Sequence, residues 1–204
     1  LTAPSQIQAT IFSYSNISCF GTPDGAIDIT ISGGTQNLTP PFYNVSWTGP
    51  SYSSTNTDIS NLISSGTYTS VITDANNCPA FPVSQYISSP QPLNASVYSQ
   101  DISCYGYDDG LIDLDIVGGS SPYIVSWTGP NGYTSVLEDI QNLQFGNYSY
   151  DVIDQNGCSL NSPNINFRNV YIVEPPQITV SSTTVLIDCY GNSNGSIDLN
   201  ISGI

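Results

Sequence analysis

One thirteen-residue stretch occurs three times and sets the terms for the rest of the chain. It reads Ile17-Ser18-Cys19-Phe20-Gly21-Thr22-Pro23-Asp24-Gly25-Ala26-Ile27-Asp28-Ile29, then Ile102 to Leu114, then Ile187 to Leu199. Cys19, Cys104 and Cys189 recur at one constant interval of about 85 residues, and a regular period of domain length marks a tandem array. The fold question therefore concerns one repeat, and the function question concerns the array. The repeats are placed at 1–91, 92–176 and 177–204, the third being incomplete and holding its first two strands.

The stretch explains itself locally. The aromatic-Gly pair after the cysteine and the following Asp-Gly or Asn-Gly mark a turn with positive φ angles. Apolar and polar residues then alternate. Ile27, Ile29 and Ile31 share one face against Asp28 and Thr30; Ile112, Leu114 and Ile116 face away from Asp113 and Asp115; Ile197, Leu199 and Ile201 face away from Asp198 and Asn200. A period of two with one apolar face is a half-buried strand.

The same rhythm runs through each repeat. A first strand is expected over about Gln8 to Ser15 and the motif strand over about Ala26 to Ser32. Tyr43, Val45 and Trp47 alternate on the next strand, matched by Tyr123, Val125 and Trp127, and both strands end in Thr-Gly-Pro. Gly66-Thr67-Tyr68 and Gly146-Asn147-Tyr148 open a strand in the manner of the tyrosine corner of immunoglobulin-like sandwiches. No stretch has helical periodicity. The expected fold is all-β: tandem immunoglobulin-like sandwiches of about 85 residues, with both tryptophans in the core. Prolines punctuate the junctions, at Pro4, at Pro90 and Pro92, and at Pro175 and Pro176. Leu1 to Ile7 therefore reads as a linker tail, and the junctions as semi-rigid.

Charge excludes some partners. Arg168 is the single basic residue against sixteen acidic ones, for a net charge of −15. Nucleic acid and anionic membranes would repel such a surface. Solvation accounts for the acidity; divalent-cation binding is the sharper alternative. No run of about 18 apolar residues offers a membrane span. The chain starts at Leu1 without a signal-peptide pattern and is read as a mature or internal segment of a longer protein.

The cysteines suggest a compartment. Cys78 follows Cys19, and Cys158 follows Cys104, by roughly 55–60 residues, and no C-x-x-C occurs, so zinc and thioredoxin-like chemistry are disfavoured. One disulfide per repeat is expected, Cys19 with Cys78 and Cys104 with Cys158, with the partner of Cys189 beyond the chain end. Such bonds imply an oxidising, extracellular setting, and closing loops of that size is worth roughly 4 kcal/mol.

The combined pattern resembles the SprB-type repeat of the giant surface adhesins of gliding Bacteroidetes. The residues that carry it are the Cys-aromatic-Gly with Asp-Gly and its Ile-Asp-Ile strand, Ser46-Trp47-Thr48-Gly49-Pro50, Asp58-Ile59-Ser60-Asn61-Leu62, Gly66-Thr67-Tyr68, and Asp74-Ala75-Asn76-Asn77-Cys78. The second repeat carries counterparts of all of them, with Ile112-Asp113-Leu114 as its strand, and the third its opening. The resemblance implies secreted, repetitive, filament-forming surface proteins with adhesive or motility roles. Departures are a longer loop at Thr35 to Pro41, an insertion at Asn161 to Arg168, and Asn194 in place of Asp24 and Asp109.

Catalytic chemistry has little to work with. Without His or Lys, most acid–base, Schiff-base and nucleophile–base pairs are excluded. Glu138 lies beside a turn and Glu174 in a linker, so no glycosidase-like carboxylate pair is evident. Asp101, Asp108 and Asp109 are the calcium candidates, weighed against a plain turn role for Asp-Gly. Seven Asn-x-Ser/Thr sequons, at Asn16, Asn37, Asn44, Asn94, Asn147, Asn194 and Asn200, are candidate N-glycosylation sites. The expectation is a non-catalytic structural segment of an extracellular filament or adhesin stalk. Its partners are neighbouring repeats, copies of the same protein, or surface glycans. The alternatives are a carbohydrate-binding module array resting on the fourteen tyrosines, and a viral or eukaryotic surface fibre of the same repeat.

Overall fold

The computed structural model describes residues 3–160 and 168–203; most of the Asn161 to Arg168 insertion lies outside the described residues. The chain divides into two compact units. One holds the chain up to Asn94 together with Val117–Tyr123 and the segment beginning at Ile153. The other holds Ala95–Ile116, Ile124–Val152 and the rest of the described chain.

In the first unit, seven strands follow the alternation of the sequence: β1 (Gln8–Ser15), β2 (Gly25–Ser32), β3 (Asn44–Gly49), β4 (Tyr52–Ser54), β5 (Ile59–Leu62), β6 (Gly66–Thr73) and β7 (Val83–Ile87). They form an antiparallel sheet of order β1-β2-β5 and another of order β4-β3-β6-β7. Each strand presents one apolar face, so the two sheets bury Ile27, Ile29, Val45, Trp47, Ile59, Leu62, Tyr68, Ile72 and Ile87 in one cluster. Trp47 is fully enclosed, and its indole N–H donates to the Thr57 carbonyl at 3.1 Å. This is an immunoglobulin-like sandwich.

The second unit repeats the plan with β8 (Asn94–Gln100), β9 (Gly110–Val117), β10 (Ile124–Thr128), β11 (Thr134–Ser135), β12 (Ile140–Leu143), β13 (Gly146–Ile153) and β14 (Asn169–Ile172). The sheets are β12-β9-β8 and β11-β10-β13-β14. Trp127, Ile112, Leu114, Tyr148 and Val152 are buried as their counterparts are. Tyr68 and Tyr148 each donate a phenol hydrogen bond to the carbonyl four residues back, Ser64 at 2.9 Å and Gln144 at 3.0 Å, which completes the tyrosine corner in both repeats. A hairpin, β15 (Thr179–Val185) with β16 (Ser196–Ser202), opens the third repeat.

One extra residue distinguishes β1. The step from Ile7 to Cys19 is longer by one than the step from Leu93 to Cys104 or from Ile178 to Cys189. The pairing of β1 with β2 absorbs the excess: Ile11 faces Ile29 and Ser13 faces Asp28, leaving Phe12 as a bulge, exposed to solvent. Without it, every residue beyond would have changed face.

Leu1 to Ile7 was expected to be a linker tail. Leu1 and Thr2 lie outside the described residues, and the residues nearest β1 are part of the sandwich. The Gly34 N–H donates to the Ser5 carbonyl at 2.8 Å, and Ile7 is buried. Gly33 makes this approach feasible. Its φ is +73°, and a Cβ there would lie 2.2 Å from the Gln6 carbonyl oxygen.

Candidate functional site at the cysteine turns

Two kinds of turn carry the cysteines. The first lies between strands one and two of each repeat. The Thr22 N–H donates to the Cys19 carbonyl at 3.0 Å, Tyr107 to Cys104 at 3.1 Å and Asn192 to Cys189 at 3.1 Å, so all three copies have one geometry. The side chain just before β2 or its counterpart closes the loop. Asp24 accepts the Ser18 N–H at 3.1 Å and Asp109 accepts the Ser103 N–H at 3.0 Å. Both carboxylates also accept the serine hydroxyl. These bonds, the hydroxyl first, hold the Asp109 carboxyl below its ordinary pKa.

The third copy exchanges the partners. Asp188 replaces the serine and Asn194 the aspartate, and Asn194 still accepts the backbone N–H, at 3.4 Å. Asn192 adds a hydrogen bond to Asp188 at 2.6 Å. The aspartate of Asp-Gly thus serves the turn. Asp101, the third calcium candidate, accepts the Val173 N–H at 2.8 Å. Among the described residues no group of three or more carboxylates or thiols is placed to hold a metal ion.

The second kind of turn carries Cys78 and Cys158, and a buried aspartate builds it. Asp74 is 1% exposed and Asp154 is 2% exposed. One carboxylate oxygen of Asp74 accepts the Asn76 and Cys78 N–H groups, both at 2.9 Å; the other accepts the Thr35 N–H at 2.9 Å. Asp154 repeats this with Asn156, Cys158 and Ser120, again at 2.9 Å each. A buried carboxylate is tolerable because backbone donors surround it. The Thr35 bond, followed by that from Cys78, sets the Asp74 pKa below its ordinary value. Nothing in the alternation of the sequence marks either aspartate as buried.

The disulfide corrects the expectation of one bond per repeat. Cys19 is bonded to Cys158, at a sequence separation of 139, while Cys78, Cys104 and Cys189 carry free, exposed thiols. The expected pairs Cys19–Cys78 and Cys104–Cys158 do not form, and the reason is strand direction. The loop of Cys19 lies where β1 ends and β7 ends, since Ile17 donates to the Ser88 carbonyl at 3.0 Å. The turn of Cys78 lies where β6 ends, beside Thr35 just past the end of β2, since Ala75 donates to the Thr35 carbonyl at 2.9 Å. The length of β2, roughly 25 Å for eight extended residues, separates them. A disulfide needs Cα atoms within about 7 Å; in the Cys19–Cys158 bond they are 5.7 Å apart.

The second repeat's turn meets the first repeat's loop within the first compact unit. Beside the disulfide, the Asn156 side-chain amide donates to the Ser18 carbonyl at 2.9 Å. Pro90, Gln91 and Leu93 line the same cleft, of about 300 Å³, and the Gly119 N–H donates to the Gln91 carbonyl at 2.9 Å. Within the first compact unit, the segment at Pro90 and Gln91 is thus tied beside the disulfide by the Gly119 hydrogen bond.

Comparison with known families bears on the strands and loop that begin this arrangement. Residues 11–51 match the SprB repeat. The matched segment runs from Ile11 in β1 through the Cys19 loop, β2 and β3 with Trp47 to Ser51, so the SprB repeat match includes one half of the disulfide. No curated protein matches the chain. Among solved structures, the C-terminal 282-residue fragment of intimin, in complex with the translocated intimin receptor's intimin-binding domain, is 13% identical. It has a TM-score of 0.38, with 89% of this chain and 67% of that one covered. Three N-terminal domains of the outer capsid protein Hoc of bacteriophage RB49 are 13% identical, with a TM-score of 0.40, 97% of this chain and 70% of that one covered. A Dscam isoform is also 13% identical, with a TM-score of 0.32, 78% of this chain and 46% of that one covered.

The sequon asparagines are dispersed, with Asn16, Asn37 and Asn44 inside the matched segment and the other four outside it. Asn16, Asn44, Asn94, Asn147, Asn194 and Asn200 are exposed and Asn37 is half-buried. The side-chain amides of Asn37 and Asn94 donate to the Pro41 and Pro92 carbonyls, at 2.8 and 3.2 Å. The tyrosines differ in burial, with Tyr52, Tyr123 and Tyr133 half-buried. Tyr43, Tyr68, Tyr148 and Tyr150 are buried, whereas Tyr86 on β7 and Tyr171 on β14, at equivalent positions, are exposed. The one cation, Arg168, meets Asp151 at 2.6 Å.

Proposed function

We propose that this chain is a non-catalytic structural segment of an extracellular filament or cell-surface adhesin stalk. The match of residues 11–51 to the SprB repeat, within a chain of tandem sandwiches, carries the reading. The Cys19–Cys158 bond supports it, because disulfides persist in oxidising compartments and this one ties successive repeats together. Among the described residues no helix is long and apolar enough to cross a membrane. The acidic surface disfavours nucleic acid and anionic lipid as partners. The mechanism is mechanical: sandwiches set spacing, joints limit bending, and repetition multiplies weak contacts.

Antibodies raised against residues 1–204 test the location. Staining of intact, unpermeabilised cells is expected, as is its loss after mild protease treatment of the cell surface. Staining only after permeabilisation overturns the reading.

A carbohydrate-binding array is the second reading, favoured by the outward Tyr86 and Tyr171. Aromatic rings on a sheet surface can stack on sugars. Binding on a glycan array that disappears in the Tyr86→Ala/Tyr171→Ala double variant would establish it; an array without signal would remove it.

A further inference from the structure

Every joint of the array, we infer, carries the same bond: the first cysteine of each repeat pairs with the second cysteine of the next. Cys104 is thus the acceptor for the cysteine turn of a complete third repeat, and Cys78 is the donor turn for a repeat preceding the first.

A groove at Cys104 carries the argument. It has a volume of about 570 Å³ and is lined by Cys104, Tyr105, Pro175, Pro176, Ile178 and Gly203, all within the second compact unit. Shifting by one period turns Cys104, Tyr105, Pro175, Pro176 and Ile178 into Cys19, Phe20, Pro90, Gln91 and Leu93. Those five line the cleft in which the Asp154–Cys158 turn is seated. The two surfaces are therefore the same surface met twice, once with its cysteine turn in place.

Burial supports the comparison. Leu93 is 3% exposed and its counterpart Ile178 is 68% exposed. Ile197, Leu199 and Ile201 of β16 are exposed, although their counterparts Ile27, Ile29, Ile112 and Leu114 are core. The apolar groove and the exposed apolar face of β16, both in the second compact unit, fit the remaining strands and turn of the same repeat. At the opposite side of the pattern, Cys78 is presented as Cys158 is. The Asp74 N–H donates to the Cys78 carbonyl at 3.1 Å and the Asp154 N–H to the Cys158 carbonyl at 3.0 Å, and each carboxylate accepts its cysteine N–H at 2.9 Å.

Each bond forms when two cysteine thiols lose two protons and two electrons to the disulfide of a dithiol–disulfide oxidoreductase, which leaves as two thiols. The proposal depends on the repeat register and not on surface location, so its failure would leave the surface reading standing.

Non-reducing peptide mapping tests it in two forms of the protein. In the 204-residue chain, Cys19 is expected on Cys158, with Cys78, Cys104 and Cys189 alkylated; a Cys19–Cys78 or Cys104–Cys158 bond overturns the proposal. In the full chain extended after Gly203 by a copy of residues 119–176, Cys104 is expected to bond the appended second cysteine. A bond from Cys189 to the appended cysteine, or a Cys104 thiol still alkylated in the folded extension, overturns it. Material from the source cells provides a check that needs no new folding. Bonds that join one repeat to the next, as Cys19–Cys158 does, support the pattern, and bonds confined to a single repeat overturn it.

Discussion

Asp74 accepts the backbone N–H of Cys78 at 2.9 Å from a position that is almost wholly enclosed. The carboxylate organises the turn and titrates below its ordinary value of 3.8. A folded pKa below the unfolded one stabilises above the unfolded value, and the contribution is lost as pH falls through the folded value. Melting temperature should thus drop on acidification below about pH 4. In Asp74→Asn, melting should already be lower at pH 7 and should fall less on acidification. Thermal melts from pH 2 to pH 7 decide it, and equal acid sensitivity in the two proteins refutes the assignment.

Asp113 behaves in the opposite sense. The nearby Asp139 carboxylate raises its pKa above 3.8, with smaller contributions from desolvation and Asp115. Asp139 is held in place because it accepts the Leu114 N–H at 3.0 Å. A raised carboxyl pKa opposes folding above the folded value and costs nothing below the unfolded one. Asp113→Asn should therefore melt higher than the parent at pH 7 and at the same temperature near pH 3. In the first repeat the equivalent Asp28 accepts the Ser13 hydroxyl at 2.6 Å, a partner that Tyr98 does not supply at the matching position.

Removing the phenol of the tyrosine corner leaves the Ser64 carbonyl without that donor. Tyr68→Phe should cost about 1–1.5 kcal/mol, a typical net value for a hydrogen bond, while leaving the packing intact. Tyr148→Phe should cost a similar amount through Gln144. Urea denaturation of each single variant measures both. A cost below about 0.3 kcal/mol would show that solvent replaces the bond.

Cysteine variants separate the two pairing schemes by stability. With a sequence separation of 139 between Cys19 and Cys158, chain entropy assigns the bond about 5 kcal/mol. Cys19→Ser and Cys158→Ser should each lose several kcal/mol and lose them non-additively, whereas Cys78→Ser should be silent. A destabilised Cys78→Ser would restore the within-repeat bond.

The strands were legible because alternation is local: Tyr43, Val45 and Trp47 announce an inward face without knowledge of the partner sheet. The tyrosine corner was legible for the same reason. Cysteine partners were not, because pairing depends on where loops lie after several reversals of direction. A usable signal existed. Cys19 follows the first strand of its repeat and Cys78 the sixth, and in an antiparallel sandwich these loops fall at opposite ends. Asp74 and Asp154 escaped notice because an aspartate after a strand usually signals an exposed turn; their burial comes from Thr35 and Ser120, donors on distant stretches of the chain. The Phe12 bulge could have been read from the step between Ile7 and Cys19, which exceeds that between Leu93 and Cys104.

The position of Cys158 also dictates an order of events as the protein is made. When the first repeat leaves the ribosome, the cysteine that Cys19 needs has not been synthesised, and Cys78 is much the nearer thiol along the chain. In a disordered chain the shorter loop closes more readily, so early oxidation would capture the wrong partner. Once the sandwich has formed, the length of β2 holds those two sulfurs out of reach of each other. For this bond folding therefore precedes oxidation, and Cys19 waits with an open thiol until the second repeat's cysteine turn has been completed.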